Sequence, residues 1–140
     1  MSFVHEQLVQ IISEDLSFCA LISGHLDKMG LKVMLSHDQT EALDAFRKFH
    51  PHLVITDLYS SRIDGLKILE QIKEQSSIPV LLTATASEIG NSLEKIQLHG
   101  GDYILKPITA ELLYRRLLPL LTPDSFIDDK NLATLIGGIH

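Results

Sequence analysis

The chain has 140 residues, 45% of them hydrophobic, and its 18 acidic against 12 Lys and Arg residues give a formal net charge of −6. This size and apolar content suit one compact domain, and no apolar run reaches the roughly 18 to 20 residues that a membrane-spanning helix needs. With neither a secretory leader nor a block of basic residues in view, we expect a cytoplasmic protein that itself contacts neither nucleic acid nor membrane.

Short runs rich in β-branched residues or leucine recur along the chain. They are too short for helices, and largely apolar runs of this kind are typical of parallel strands that are buried on both faces. In chain order, the predicted strands are Leu8–Ser13, Leu31–Ser36, Leu53–Thr56, Val80–Thr83 and Tyr103–Leu105.

Segments with apolar residues at helical spacing lie between and after these runs, which predicts five helices. Gly30 is placed to close the first helix, Asp38 or Thr40 to cap the second, and Thr109 to cap the fifth. Pro119 should kink or end the fifth helix, because proline lacks the amide hydrogen that a helix uses. The apolar positions are Cys19, Ile22, Leu26 and Met29, then Ala42, Leu43 and Phe46, then Ile68, Leu69 and Ile72, then Ile89, Leu93 and Ile96, and finally Leu113 and Leu117.

The alternation of strands and helices predicts an α/β fold in which a βα unit is repeated five times around a parallel sheet. Right-handed crossovers then put helices on both faces of the sheet, which makes a doubly wound, three-layer sandwich. We expect this domain to occupy residues 1–122, with residues 123–140 as a C-terminal tail or the start of a linker. Ligand sites of such sheets lie at the carboxyl ends of the strands.

Charged residues follow three of the five predicted strands. Glu14 and Asp15 come after the first strand, Asp57 after the third and Lys106 after the fifth. Because these strand ends meet at one edge of a parallel sheet, the three carboxylates would repel one another unless a pKa rises or a cation binds. Carboxylate and carbonyl oxygens suit Mg²⁺. Lys106 would add a positive charge, which makes Asp57 a candidate nucleophile for phosphoryl transfer.

Each of these residues also has a simpler interpretation. An aspartate after a strand often caps the next helix, and a lysine in a loop is often merely solvated. Together, however, the four residues lie at three strand ends and supply an acid, ligands for a metal ion and a positive charge. The combination, rather than any single residue, indicates a functional site.

Three segments resemble the response-regulator receiver family, and the resemblance extends over about Leu8 to Leu121. ISED is similar to that family's acidic pair, LVITD with the following Asp64 and Gly65 to its acceptor segment, and GGDYILKPI to its Lys-Pro segment. The resemblance implies the flavodoxin-like strand order 2-1-3-4-5 and a site that uses Mg²⁺ as its cofactor.

The resemblance also implies roles for the residues of the site. Asp57 would accept a phosphoryl group, and Lys106 would contact that group. The implied metal ligands are Glu14, Asp15, Asp57 and the backbone carbonyl of Tyr59.

The hydroxyl that family members use to bind the phosphate is harder to place. Counting back from Lys106 without a gap reaches Ala84, whereas the string LLTA is similar to the family's strand end with Thr83 as the hydroxyl. We favour Thr83, which requires one inserted residue before Lys106. Tyr103 lies where the family has an aromatic residue that moves inward on activation, although an amphipathic aromatic at a sheet edge would look the same. A cis peptide bond is expected before Pro107.

By this resemblance the chain is a phosphorelay module of a two-component system and not a turnover enzyme. A histidine kinase or a histidine phosphotransfer protein would supply the phosphoryl group, and a population shift of the fourth helix, fifth strand and fifth helix would change how a partner binds. A downstream output domain or effector protein would carry the effect.

The sequence leaves open which kinase is cognate and whether phosphorylation drives a homodimer, since Tyr114, Arg115 and Arg116 are equally consistent with a solvated face.

Two features bear on the lifetime of the phosphoryl group. Tyr59 is placed to shield the acyl phosphate from water, and Thr85 offers only a short hydroxyl to position that water, so we expect slow autodephosphorylation.

Ser60 and Ser61 replace a Met-Pro pair common in the family, which makes their loop less rigid.

Two other functions fit the same fold. A phosphorylation-independent interaction module is suggested by the shifted Thr83 and the altered loop, and it is opposed by the intact Glu14, Asp15, Asp57 and Lys106. A flavin carrier or an aspartate phosphatase is disfavoured by the first loop. The acidic SEDLSF would repel a flavin phosphate and lacks a phosphatase's second aspartate two residues after its nucleophile.

Overall fold

A computed structural model describes residues 7–121 of the chain, so the predicted tail at 123–140 lies outside the described residues. The strands are β1 (Leu8–Ile12), β2 (Lys32–Ser36), β3 (Leu53–Asp57), β4 (Tyr59–Ser60), β5 (Ile63–Asp64), β6 (Val80–Ala84) and β7 (Asp102–Leu105). Five of them form a parallel sheet in the order β2-β1-β3-β6-β7. The short strands β4 and β5 form a separate antiparallel pair. The predicted α/β fold and its order 2-1-3-4-5 are therefore confirmed.

Six helices lie within residues 7–121, and none of them is both long and apolar enough to cross a membrane. The predicted fourth helix is broken into two short helices, because the weak helix formers Gly90, Asn91 and Ser92 separate them. The helices are α1 (Leu16–Lys28), α2 (Gln39–Phe49), α3 (Gly65–Lys73), α4 (Ala86–Ile89), α5 (Leu93–Leu98) and α6 (Ala110–Leu121).

The helix ends largely follow the predicted capping residues. Asp38 Oδ1 accepts a hydrogen bond of 2.8 Å from the N–H three residues further on, and Thr109 Oγ1 accepts one of 3.1 Å in the same way. Gly30 follows α1 with a positive φ of 84°. Pro119 does not end the last helix, since α6 continues to Leu121.

Two apolar clusters enclose the sheet, because side chains along a strand alternate between its faces. On β1, Val9 and Ile11 pack with α1 and α6, whereas Ile12 packs with α2 and α3. Tyr114 of α6 is fully buried in the first cluster, so its interpretation as part of a solvated face is wrong. The predicted three-layer sandwich is confirmed, and its helices hold the strand ends in place.

The turn from β3 into α3 brings two backbone segments very close together. The N–H of Gly65 donates to the carbonyl of Leu58 at 2.8 Å. A Cβ at Gly65 would lie 2.2 Å from the carbonyl oxygen of Asp57 and 2.8 Å from that of Leu58. Because no side chain fits there, a glycine at position 65 is what allows the first residue of α3 to lie against the backbone of Asp57.

We predict that Gly65→Ala lowers the free energy of unfolding by about 1–3 kcal/mol or more, because its methyl group would displace the backbone at Asp57. Gly24→Ala is the matched control. A Cβ at Gly24 meets nothing within 4 Å, and alanine is favoured over glycine in a helix interior by about 1 kcal/mol. Urea unfolding of both variants checks this, and equal effects would contradict the close approach at Gly65.

Candidate functional site

The strand ends converge on Asp57, the last residue of β3. In the parallel register, Asp57 pairs with Thr83 of β6. On the other side β1 ends at Ile12, and the next residue, Ser13, lies beside Asp57. Asp57 is only 8% exposed, and a carboxylate this buried needs hydrogen-bond donors to offset its lost hydration.

Three side-chain donors contact the Asp57 carboxylate. Ser13 Oγ donates to Oδ2 at 2.6 Å, and Thr83 Oγ1 donates to Oδ1 at 3.0 Å. The Nζ atom of Lys106 lies 3.5 Å from the same Oδ1. Hydrogen bonds to charged groups are strong where water is largely excluded, so the site holds a negative charge at this edge of the sheet.

Lys106 is positioned by its backbone and by an aromatic ring. Its N–H donates to the carbonyl of Ala84 at 2.8 Å, and the peptide bond to Pro107 is cis, as predicted. Its ammonium lies 4.4 Å from the centre of the Phe18 ring on α1, which is a cation–π distance. Strand β6 and helix α1 thus aim the ammonium of Lys106 at Asp57.

The structure distinguishes the two candidates for the hydroxyl at the end of β6. Thr83 contacts Asp57 directly, as described above. Ala84 is buried in the apolar cluster that contains Ile68 and Leu69 of α3. At the end of β6, the hydroxyl that contacts Asp57 is thus that of Thr83, and its role as a phosphate ligand stays a prediction.

Glu14 contacts the β4-β5 hairpin rather than Asp57. Its carboxylate accepts hydrogen bonds from the hydroxyl of Ser60, from the hydroxyl of Ser61 at 3.0 Å, and from the N–H of Arg62 at 2.8 Å. The Arg62 guanidinium lies 3.9 Å away. These donors, the Ser60 hydroxyl above all, lower the pKa of the Glu14 carboxyl below its ordinary value.

Asp15 caps α1, which is the simpler of the two interpretations that its sequence position allowed. Its Oδ1 accepts a hydrogen bond of 3.0 Å from the N–H of Phe18. Glu14, Asp15 and Asp57 therefore have separate partners. Among residues 7–121, no group of three or more His, Cys, Asp or Glu side chains is arranged to hold a metal ion. As placed, these residues do not fit the predicted three-carboxylate site for Mg²⁺.

Ser13 is the residue of the site that the sequence interpretation missed. Besides donating to Asp57, its hydroxyl accepts a hydrogen bond of 3.1 Å from the N–H of Asp15. Its carbonyl oxygen lies 2.9 Å from Nδ1 of His37, and its own N–H donates to the carbonyl of Ser36 at 3.0 Å. The predicted first strand ended at Ser13, and the ends of parallel strands meet at the edge of the sheet where Asp57 lies. This position was the signal in the sequence that could have identified Ser13.

The two tyrosines of the predicted site have different environments. Tyr59 starts β4 and is 73% exposed. Tyr103 of β7 is half-buried, and its carbonyl accepts a hydrogen bond from the guanidinium of Arg116. Arg116 also forms an ion pair of 3.0 Å with Asp102. Helix α6 is therefore tied to β7 beside Tyr103, whose role as a conformational reporter stays a prediction.

The model of the response regulator receiver domain family matches residues 9–118. The chain belongs to this family. The match includes Asp57 and the three side chains described above as its partners, and it assigns the domain to the signalling modules of two-component systems. Receiver domains generally use Mg²⁺ at their phosphorylation site.

Curated relatives of this receiver domain are response regulators. A probable transcriptional regulator, ycf27, from Porphyridium aerugineum is 25% identical over 118 residues, which are 84% of this chain and 49% of that protein. Response regulator RR06 from Streptococcus pneumoniae is 27% identical over 108 residues, which are 77% of this chain and 50% of that protein. The receiver domain thus spans about half the length of these relatives.

Solved structures have the same fold as this receiver domain. A two-component response regulator from Clostridium difficile superposes with a TM-score of 0.79 at 24% identity, over 86% of this chain and 100% of that chain. NtrX from Brucella abortus, solved in complex with ATP, superposes with a TM-score of 0.77 at 26% identity, over 85% of this chain and 28% of that chain.

We predict that Glu14→Gln makes the receiver domain less stable near neutral pH, because the charged carboxylate is the form that the hairpin donors favour. A group whose pKa is lowered by folding stabilises the protein above its ordinary titration range, and loses that effect as the pH falls through the lowered pKa. The difference in unfolding free energy between wild type and Glu14→Gln should therefore vanish in acid. Glu94→Gln, at an exposed position on α5, controls for the change in net charge. A pH-independent difference would contradict the interpretation.

Proposed function

We propose that this receiver domain accepts a phosphoryl group on Asp57 from a histidine kinase or a histidine phosphotransfer protein in the cytoplasm. The observation that carries the proposal is the contact of the Thr83 hydroxyl and the Lys106 ammonium with one oxygen, Oδ1, of Asp57. A phosphoryl group on this oxygen would bring its negative oxygens to donors that are already in place.

In the proposed transfer, Oδ1 of Asp57 attacks the phosphorus of a phosphohistidine. A P–O bond forms while the P–N bond breaks, and the imidazole leaves with the electron pair of that bond and takes a proton from the solvent. The Lys106 ammonium offsets the charge of the phosphoryl oxygens, and the Thr83 hydroxyl turns from Asp57 to donate to one of them. Mg²⁺ is the cofactor that the family implies, but these steps depend only on the side chains that contact Asp57.

The proposed response is a shift of the face formed by α4, α5, β7 and α6. Thr83 lies two residues before Thr85, whose hydroxyl caps α4 by accepting from the N–H of Glu88. A movement of Thr83 towards a phosphoryl group would therefore pull on the start of α4, and a partner that binds one arrangement better would sense it. Because the domain has a net negative charge, any contact with nucleic acid would pass through another domain or an effector protein.

We predict that incubation with a small-molecule acyl phosphate and Mg²⁺ adds the mass of one phosphoryl group to the wild type and none to Asp57→Asn, because an amide is a poor nucleophile. Intact-mass spectrometry measures the adduct.

Asp44→Asn is the matched control, because the Asp44 side chain is 74% exposed on α2. It should accept the phosphoryl group as the wild type does. A folded wild type without an adduct would contradict the proposal and would favour a phosphorylation-independent interaction module.

The phosphoryl group should persist, because few groups near Asp57 can direct water at it. The Thr85 hydroxyl is engaged with the Glu88 carboxylate at 2.9 Å and lies 3.1 Å from the Ser87 hydroxyl. Tyr59, two residues after Asp57, offers an aromatic ring in place of an amide or acid that could orient water. We therefore propose slow autodephosphorylation.

We predict that Tyr59→Asn speeds the loss of phosphate several-fold, because a carboxamide can hydrogen-bond and orient the attacking water. Tyr59→Phe keeps the ring and should decay as slowly as the wild type. The time course of the intact-mass adduct after removal of the phosphoryl donor gives both rates. If the wild type loses its phosphate as fast as Tyr59→Asn, the shielding role of Tyr59 is wrong.

A further inference from the structure

We propose that the Ser13 hydroxyl takes the place of a metal-binding group at Oδ2 of Asp57, so that this receiver domain binds Mg²⁺ weakly. The inference rests on the proposed function, because it concerns the same carboxylate. Metal binding is nevertheless measurable on the unphosphorylated protein, so the two proposals can fail separately.

The hydroxyl of Ser13 is held firmly against Asp57. Its Oγ lies 2.6 Å from Oδ2, and Ser13 is 0% exposed. Because the N–H of Asp15 donates to the same Oγ at 3.1 Å, the hydroxyl proton is left to point at Asp57. A neutral hydroxyl that donates a hydrogen bond to Asp57 supplies no negative charge for a cation, whereas Mg²⁺ in proteins is bound through carboxylates.

The neighbouring carboxylates do not compensate for this hydroxyl. Glu14 would have to give up its contacts with Ser60, Ser61 and Arg62 to reach an ion at Asp57. Asp15 would have to give up the cap of α1. Each move leaves backbone or hydroxyl donors without their acceptor, which costs free energy.

A cation at Asp57 would also meet the positive charge of Lys106, whose Nζ lies 3.5 Å from Oδ1. One carboxylate flanked by an ammonium and two hydroxyls is a site for negative charge rather than for a divalent cation. Mg²⁺ dehydrates reluctantly and needs near-ideal octahedral geometry. These surroundings provide too few oxygen ligands of negative charge to replace its bound water.

Ser13 has a positioning role instead. By occupying Oδ2, it leaves Oδ1 as the oxygen that faces Thr83 and Lys106. The hydroxyl polarises the carboxylate from the side away from the incoming phosphoryl group.

The test is Ser13→Asp, which puts a second carboxylate beside Asp57 at the end of β1. We expect its affinity for Mg²⁺ to exceed that of the wild type by at least about tenfold, the scale on which metal-site substitutions act. A ligand that binds the folded state raises Tm with its concentration. Millimolar Mg²⁺ should therefore raise the Tm of Ser13→Asp clearly and that of the wild type barely.

Two further proteins make the result specific. Ser36→Ala removes the hydroxyl of another fully buried serine, one that is bonded to Gln10 rather than to Asp57, and it should leave the weak Mg²⁺ response unchanged. The double variant Ser13→Asp with Asp57→Asn should lose the gain in affinity. A gain that survives the loss of Asp57 would place the ion elsewhere and overturn the inference.

The wild type alone also decides the matter if Ser13→Asp does not fold. Backbone amide NMR shifts of Ser13 and Asp57 in a Mg²⁺ titration should change little and should not saturate at millimolar Mg²⁺. Saturation in that range, or a wild-type Tm response equal to that of Ser13→Asp, would overturn the inference. A missing phosphoryl adduct would count against the proposed function and would leave these metal-binding results as they are.

Discussion

The buried charge of Asp57 is the constraint on which the rest of the site depends. A carboxylate that is 8% exposed is tolerated only where donors replace its water. Ser13, Thr83 and Lys106 provide these donors from three separate strand ends. The parallel register brings them together, and the absence of a side chain at Gly65 lets α3 pack behind the same residue.

Local backbone donors explain why the acids next to β1 do not join Asp57. The first turn of a helix has free N–H groups, and Asp15 satisfies one of them at a distance that a flexible carboxylate reaches easily. Glu14 finds three donors in the β4-β5 hairpin. Two carboxylates beside a third would repel one another, so separate partners are the arrangement of lower free energy when no cation is bound.

The strands and helices of the fold could be predicted because their signals are local, whereas the strand order was implied by the resemblance to the receiver family. Buried parallel strands such as Leu53–Asp57 begin as runs of apolar residues, and helix faces show their period of 3.6 residues. The break between α4 and α5 was missed, because the apolar spacing of Ile89, Leu93 and Ile96 continues across it. The β4-β5 hairpin was missed because two-residue strands have no periodic pattern.

The site was predicted less completely, because its contacts join residues that are distant in sequence. Asp57 and Lys106 stood out as charges at strand ends, and the structure brings them within 3.5 Å. Counting back from Lys106 reached Ala84, whereas the likeness of LLTA to the family's strand end favoured Thr83. The strand register pairs Asp57 with Thr83. Ser13 was overlooked because a serine beside two acids carries no charge, and its hydrogen bond of 2.6 Å to Asp57 is visible only in the structure.

The central claim is that one carboxylate, that of Asp57, is the phosphoryl acceptor. Reduction of the phosphorylated protein with borohydride tests it most directly, because an acyl phosphate is reduced to an alcohol and an aspartyl phosphate therefore becomes homoserine. Peptide sequencing by mass spectrometry should then find homoserine at position 57 and an unmodified Asp15 and Asp64. Homoserine at another aspartate, a reduced glutamate, or a phosphoryl group that resists reduction because it sits on a serine or threonine hydroxyl, would contradict the account.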